Sequence, residues 1–191
     1  MAIMKSAPRR FADPRGKHDH QRCVSKALRT ADEVCAERGL RLTPTRKRVL
    51  ELIWMRHAPI GAYDILSQLS KDGRQEAPPT VYRALSFLMG AGLIHRLDTL
   101  NAYLGCETPK HLHAAQFLVC RSCRAVTELG DPAIARLLAQ RVKAAGFTAD
   151  AHDLEIKGLC DTCRGSGRQQ SGTVPMSNQR LHRRRHPQCC S

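Results

Sequence analysis

Apolar side chains recur at helical spacing through the first half of the chain. Val24, Ala27/Leu28, Ala31 and Val34/Cys35 mark one face of a leading helix, and Gly39 supplies its stop. Thr43-Pro44 has the chemistry of an N-cap followed by the first helical residue. The helix behind it offers Val49, Leu50 and Ile53 to a core, and His57-Ala-Pro-Ile-Gly61 interrupts it. A short helix follows with Ala62, Ile65, Leu66 and Leu69 inward, then a polar loop at 71–77. Pro78-Pro79-Thr80 opens a further helix with Val81, Ala84, Leu85 and Leu88 on its apolar side, ended by Gly90/Gly92. Two strand-like runs come next, 93–97 and 102–104, with a hairpin loop at 98–101. The last three of these helices and the hairpin form the pattern of a winged helix-turn-helix, whose last helix enters the DNA major groove. The same periodicity suits a small helical bundle with no nucleic-acid role, because fold does not fix function.

After residue 105 the pattern changes. Residues 116–119 and 125–129 read as strands, and Asp131-Pro132 caps a helix with Ile134, Leu137/Leu138, Val142 and Ala145 on one face, closed by Gly146. A strand candidate runs from Phe147 to about Leu159. These elements predict a small unit with a helix packed on a sheet, so the whole chain is α+β. The expected division is a basic disordered tail at 1–21, a winged-helix DNA-binding domain at 22–104, a metal-binding dimerisation domain at 105–165 and a second basic disordered tail at 166–191.

Composition narrows the function. Of 191 residues, 42% are apolar, enough for a real core, but only 4% are aromatic, so that core is mostly aliphatic. No apolar run approaches the ~18 residues of a membrane span. The first 22 residues are basic and polar, unlike a secretory signal, which points to the cytoplasm. There, nine cysteines are expected as metal ligands or thiols rather than disulfides. The net charge of +14 is concentrated at the ends: residues 1–25 hold +4, residues 164–191 hold +6, and the middle only +4. General basicity therefore says little about specific nucleic-acid binding, though the tails should strengthen nonspecific phosphate attraction.

Two groups of metal ligands stand out. Cys120-x-x-Cys123 and Cys160-x-x-Cys163 each follow a strand-like segment, where a tight knuckle can aim two sulfurs at one ion. Four thiolates suit a closed tetrahedral Zn2+ site of structural type, and the 36 residues between the pairs contain a whole helix and flanking strands. A thioredoxin-like redox pair would need a Cys-x-x-Cys at a helix start in a βαβ context, and neither pair is so placed. The second group is dispersed: His95 on the first wing strand, Cys106 after the second, His111 and His113 at the hinge, and Glu128 beyond Cys123. One Cys, one or two His and one Glu can make a four-coordinate zinc site. Singly, they also read as a strand histidine, a buried thiol and a solvated acid. An enzyme is not expected. No His-Glu-x-x-His, Gly-rich phosphate loop, nucleophile elbow or deaminase string occurs.

Taken together, Arg41-Leu-Thr-Pro-Thr-Arg46, Ala62-Tyr-Asp-Ile-Leu66, Pro78-Pro-Thr-Val-Tyr-Arg-Ala-Leu85, Gly92-Leu-Ile-His95, Phe117-Leu-Val-Cys-Arg-Ser-Cys123 and Gly158-Leu-Cys-Asp-Thr-Cys163 resemble the ferric uptake regulator (Fur) family of bacterial metal-responsive repressors, most of all its zinc uptake regulator branch. The resemblance spans roughly residues 26–164. It implies a homodimer on a near-palindromic operator, structural zinc at Cys120, Cys123, Cys160 and Cys163, and a regulatory zinc at His95, Cys106, His113 and Glu128, with His111 as the neighbouring alternative to His113. It also implies DNA contacts from Thr80, Tyr82 and Arg83 in the recognition helix and from Tyr63. Ferric-type members carry a run of hinge histidines, which here shrinks to His111-Leu-His113. A soft thiolate at Cys106 favours zinc over an iron or other metal regulator. No small-molecule substrate other than the metal ion is implied. Outside the family reading stands a zinc-buffering or interaction protein whose tails hold nucleic acid loosely.

Overall fold

The computed structural model describes residues 9–10, 20–56, 58–73, 76–110, 115–148 and 154–165. Helix α1 spans His20–Glu37, α2 Pro44–Trp54, α3 Ala62–Lys71 and α4 Pro78–Gly90. The caps explain these limits. Thr43 accepts a hydrogen bond from the Arg46 N–H, with Pro44 at the first helical position, and Pro78 and Pro79 likewise start α4. At the far ends, Gly39 and Gly92 take left-handed φ of +63° and +67°. Their own amides and the following ones fold back onto carbonyls of the last turn (Leu40 N–H to Cys35, Leu93 N–H to Leu88). Glycine accepts that conformation without strain.

The apolar stripes meet in one core that includes Val34, Leu50, Ile53, Ile65, Leu69, Val81, Leu85 and Leu88. Strands β2 (Ile94–Leu97) and β3 (Ala102–Gly105) form an antiparallel hairpin in the register Ile94↔Gly105, with a 3-10 turn at Asp98–Leu100 and Asn101 left-handed at φ 47°. A winged-helix unit results.

The C-terminal sheet contains β4 (Gln116–Cys120), β5 (Val126–Glu128) and β6 (Leu154–Gly158) in the order β5-β4-β6, with β4 and β6 parallel. A second core joins the two parts: Leu97 and Leu104 of the hairpin pack with Ala115, Phe117, Val119 and Val126 of the sheet. The wing therefore serves both cores, Ile94 and Tyr103 facing one and Leu97 and Leu104 the other.

Three expectations change. Arg9–Arg10, read as part of a disordered tail, form strand β1 on the outer edge of β5, with Arg9 opposite Glu128; an edge strand's unpaired backbone accepts such an addition. The expected strand from Phe147 begins only at Leu154, with residues 149–153 outside the described set. Helix α5 (Pro132–Ala144), capped by Asp131 as expected, buries none of its residues. Its apolar stripe is only partly covered: Ile134, Leu138 and Val142 are half-buried and Leu137 is exposed.

Candidate metal centres and nucleic-acid interface

Parallel pairing of β4 with β6 sets Cys120 opposite Gly158, so both strands end at the same edge of the sheet. Each then makes a tight knuckle. After β4, the Arg124 amide returns to the Cys120 carbonyl at 2.9 Å with Arg124 at φ 61°. After β6, Cys160 leads into α6, a five-residue turn of helix at Asp161–Gly165. Cys160-x-x-Cys163 thus opens a short turn of helix behind the last described strand, not the helix of a βαβ unit.

The decisive feature is that the other pair converges on it. The Sγ atoms of Cys120, Cys123, Cys160 and Cys163 all lie within 4.8 Å of one another, and Cys123 and Cys160 are 3.7 Å apart. Tetrahedral zinc with Zn–S of about 2.3 Å places its sulfurs about 3.8 Å apart, so the donor set and its spacing fit.

The thiols are electrostatically unlike. Burial pushes Cys120 up, but N–H groups of Cys123, Cys160 and Ser122 and the Cys123 thiol point at its sulfur and bring it down to about 6. At Cys123 the Ala125 N–H pulls down, yet desolvation and the thiols of Cys120, Cys163 and Cys160 outweigh it and push it up to about 12. The amide donors thus favour a thiolate at Cys120, and a cation at the centre would offset the crowding of sulfurs that opposes ionisation at Cys123.

The dispersed ligands lie around the second core. His95 is half-buried on β2, and its ring meets Phe117 edge-on at 5.3 Å between centroids. Phe117 is fully buried, and its cross-strand partner on β5 is Glu128. Directly paired residues share a sheet face, so His95 and Glu128 approach one side chain from two different units. Cys106 is buried just past β3, its amide held by the Leu93 carbonyl at 3.0 Å. His111 and His113 lie outside the described residues. Among the described residues only the four cysteines form a group of three or more ligand atoms within 4.8 Å. His95, Cys106 and Glu128 do not form one by themselves.

Sequence reasoning missed two residues here. Phe117 carries the sheet's contact with the His95 ring of the wing. Glu155, on β6 and also paired with Phe117, accepts the wing-turn amides of Asp98 at 2.6 Å and Thr99 at 3.0 Å. Neither residue type carries a spacing signal that could have marked it.

Within the winged unit, α4 leaves Tyr82 and Arg83 exposed, with Thr80 half-buried at its start. Tyr63 on α3 is 74% exposed. Such rings and guanidinium groups on the outer face of a winged helix suit phosphate and base-edge contacts. Arg46 does not join them. Its guanidinium stacks 3.6 Å over the Phe87 ring and donates to the Arg41 carbonyl, which explains its place in the Thr-Pro-Thr-Arg string as a fold-holding residue.

A winged helix built onto a small sheet that carries a four-thiolate metal site defines the class. Residues 37–157 match the Ferric uptake regulator family, and the chain belongs to that family. It is similar to the zinc uptake regulation protein of Escherichia coli (strain K12), with 35% identity over 141 residues that cover 73% of this chain and 82% of that one. Among solved structures it is similar to holo XcZur, with 42% identity and a TM-score of 0.66 over 73% of this chain and 98% of the other. A zinc uptake regulator complexed with zinc and DNA gives 33% identity and a TM-score of 0.69 over 75% and 96%.

Proposed function

We propose that this protein is a zinc-responsive, DNA-binding transcriptional repressor of zinc-uptake genes, acting as a homodimer in the cytoplasm. Its named relatives are zinc uptake regulators, one of them seen with zinc and DNA. The observation that carries the reading is that His95 of the wing packs on buried Phe117, whose cross-strand partner in the sheet is Glu128.

In this reading Cys120, Cys123, Cys160 and Cys163 hold a structural Zn2+ that ties the two strand ends together. His95 and Cys106 from the wing, with His113 and Glu128 from the hinge and sheet, hold the sensed ion. Zn2+ at that position supplies one divalent charge shared by ligands of both units. Those ligands reach a common point only when wing and sheet are docked, so the docked state binds zinc better and its population rises with zinc. A change from mostly open to mostly closed takes about 5.5 kcal/mol of differential affinity, within reach of zinc sites worth about 10–16 kcal/mol. Docking then fixes the two α4 helices of the dimer at the separation of successive major grooves, about one helical turn or a multiple. There Arg83, Tyr82 and Thr80 meet base edges and backbone while Tyr63 contacts phosphate.

The test is Cys106→Ser. The variant keeps one zinc per chain in the four-thiolate centre and its fold, but loses zinc-stimulated operator binding in a fluorescence-anisotropy titration. Undiminished zinc dependence in that titration refutes the reading.

A further inference from the structure

The docked arrangement has a clasp made by protein alone. Glu155 belongs to the C-terminal sheet, yet both its carboxylate oxygens are spent on the wing: Oε1 takes the Asp98 amide at 2.6 Å and Oε2 the Thr99 amide at 3.0 Å. These amides open the 3-10 turn between β2 and β3, where no residue of the turn supplies a side-chain cap. Bonds from N–H groups to an ionised acceptor are shorter and stronger than neutral ones. The contact shares its place with the metal ligands. Glu128, Phe117 and Glu155 form one row across β5, β4 and β6, and His95 touches the middle member. The clasp and the sensing ligands therefore bridge the same two units from opposite ends of one row.

Resting on the proposed zinc response, we infer that Glu155 is a positioning residue that sets the zinc concentration at which the protein switches, by stabilising the docked state before metal arrives. The physical reason is linkage. A ligand that binds one of two states shows an apparent affinity reduced by the fraction of molecules in the competent state. Glu155 raises that fraction without touching metal or DNA. Removing it lowers the docked population of the metal-free protein, so more zinc is needed. Enough zinc still drives docking to completion, since the ligands themselves are intact.

This predicts a distinctive signature in full-length protein. Operator binding is followed by anisotropy at fixed DNA while buffered free Zn2+ is raised. Glu155→Ala moves the zinc midpoint upward about 10-fold, within the usual range of coupling between sites, and reaches the wild-type plateau. Glu155→Gln, which keeps one acceptor oxygen, falls between the two. The zinc retained under mild chelation stays at the wild-type content in both variants, showing that the four-thiolate centre and the fold around it persist. An unmoved midpoint overturns the inference. So does a lowered plateau at an unmoved midpoint, which would make Glu155 a support of the fold or of the DNA surface. If the wild-type protein itself shows no zinc-dependent operator binding, the proposed function fails instead, and the two failures are told apart in the same experiment.

Discussion

Gly105 lies on β3 against the indole of Trp54. A Cβ built there would stand 2.5 Å from Nε1, 2.8 Å from Cζ2 and closer still to Cε2. Trp54 ends α2 and is packed against the first core, so its ring cannot simply swing aside as a flexible chain end would. Gly105→Ala should therefore destabilise the protein by about 1–3 kcal/mol, the usual cost of overpacking. Urea denaturation would show a lower midpoint at unchanged slope. A variant as stable as wild type would mean that the indole has room the packing denies it. The neighbour matters too: Cys106 hangs from this strand end, its amide fixed to Leu93, so backbone displaced at 105 is carried to a proposed ligand. Nothing in the sequence marks Gly105. It reads as one small residue near a domain boundary, because the side chain that forbids a larger residue comes from a distant helix.

At the scale of elements, the helices and most strands were legible and the pairing of the strands was not. Thr43-Pro44, Pro78-Pro79 and Asp131-Pro132 start α2, α4 and α5, and Gly39, Gly92 and Gly146 end α1, α4 and α5 with left-handed φ. All of these are local signals, written within one turn of chain. The pairing of β4 with β6, in contrast, passes over β5 and α5, and no local pattern specifies which strand lies in the middle. The four-cysteine site was still readable from its spacing, whereas its convergence depends on that parallel pair. Helix α4 shows a local element tied down by distant groups. Its last turn is closed by Gly92, and the carbonyl of Ala91 beyond it receives Arg38 Nη1 at 2.8 Å, while Nη2 reaches the Pro109 carbonyl at 3.1 Å. A guanidinium fork fixes both at once. With its inner face locked, α4 presents Arg83 as a rigid probe. Arg83→Ala should cost about 1–3 kcal/mol of operator affinity and relax preference at one base position if the arginine reads a base edge. Competition against operators altered base by base decides this, since a loss equal for all sequences, with a shallower salt dependence, would make Arg83 a phosphate contact.

The whole molecule carries an unpaid debt of apolar surface in its C-terminal half. Helix α5 has no fully buried residue, Leu137 on its apolar stripe is 54% exposed, and Ile156 on β6 and Phe147 behind α5 are 45% and 67% exposed. Soluble proteins rarely leave large apolar areas open without a partner. Two further facts call for that partner to be a second copy. A single α4 can read only one half-site, whereas a two-fold dimer presents two. The charge that would hold copies apart is placed at the chain ends, with only +4 of the +14 in residues 26–163. Leu137→Glu therefore separates folding from assembly. Since Leu137 supports no core within its own chain, the variant should keep its helical circular dichroism and its four-thiolate zinc. A carboxylate buried there without a partner would cost the dimer about 3–5 kcal/mol. Sedimentation velocity should then show monomer where wild type shows dimer, and binding to a two-half-site operator should fall to that of an isolated half-site. A dimer that survives the substitution would place the interface elsewhere and leave the stripe on α5 to some other surface.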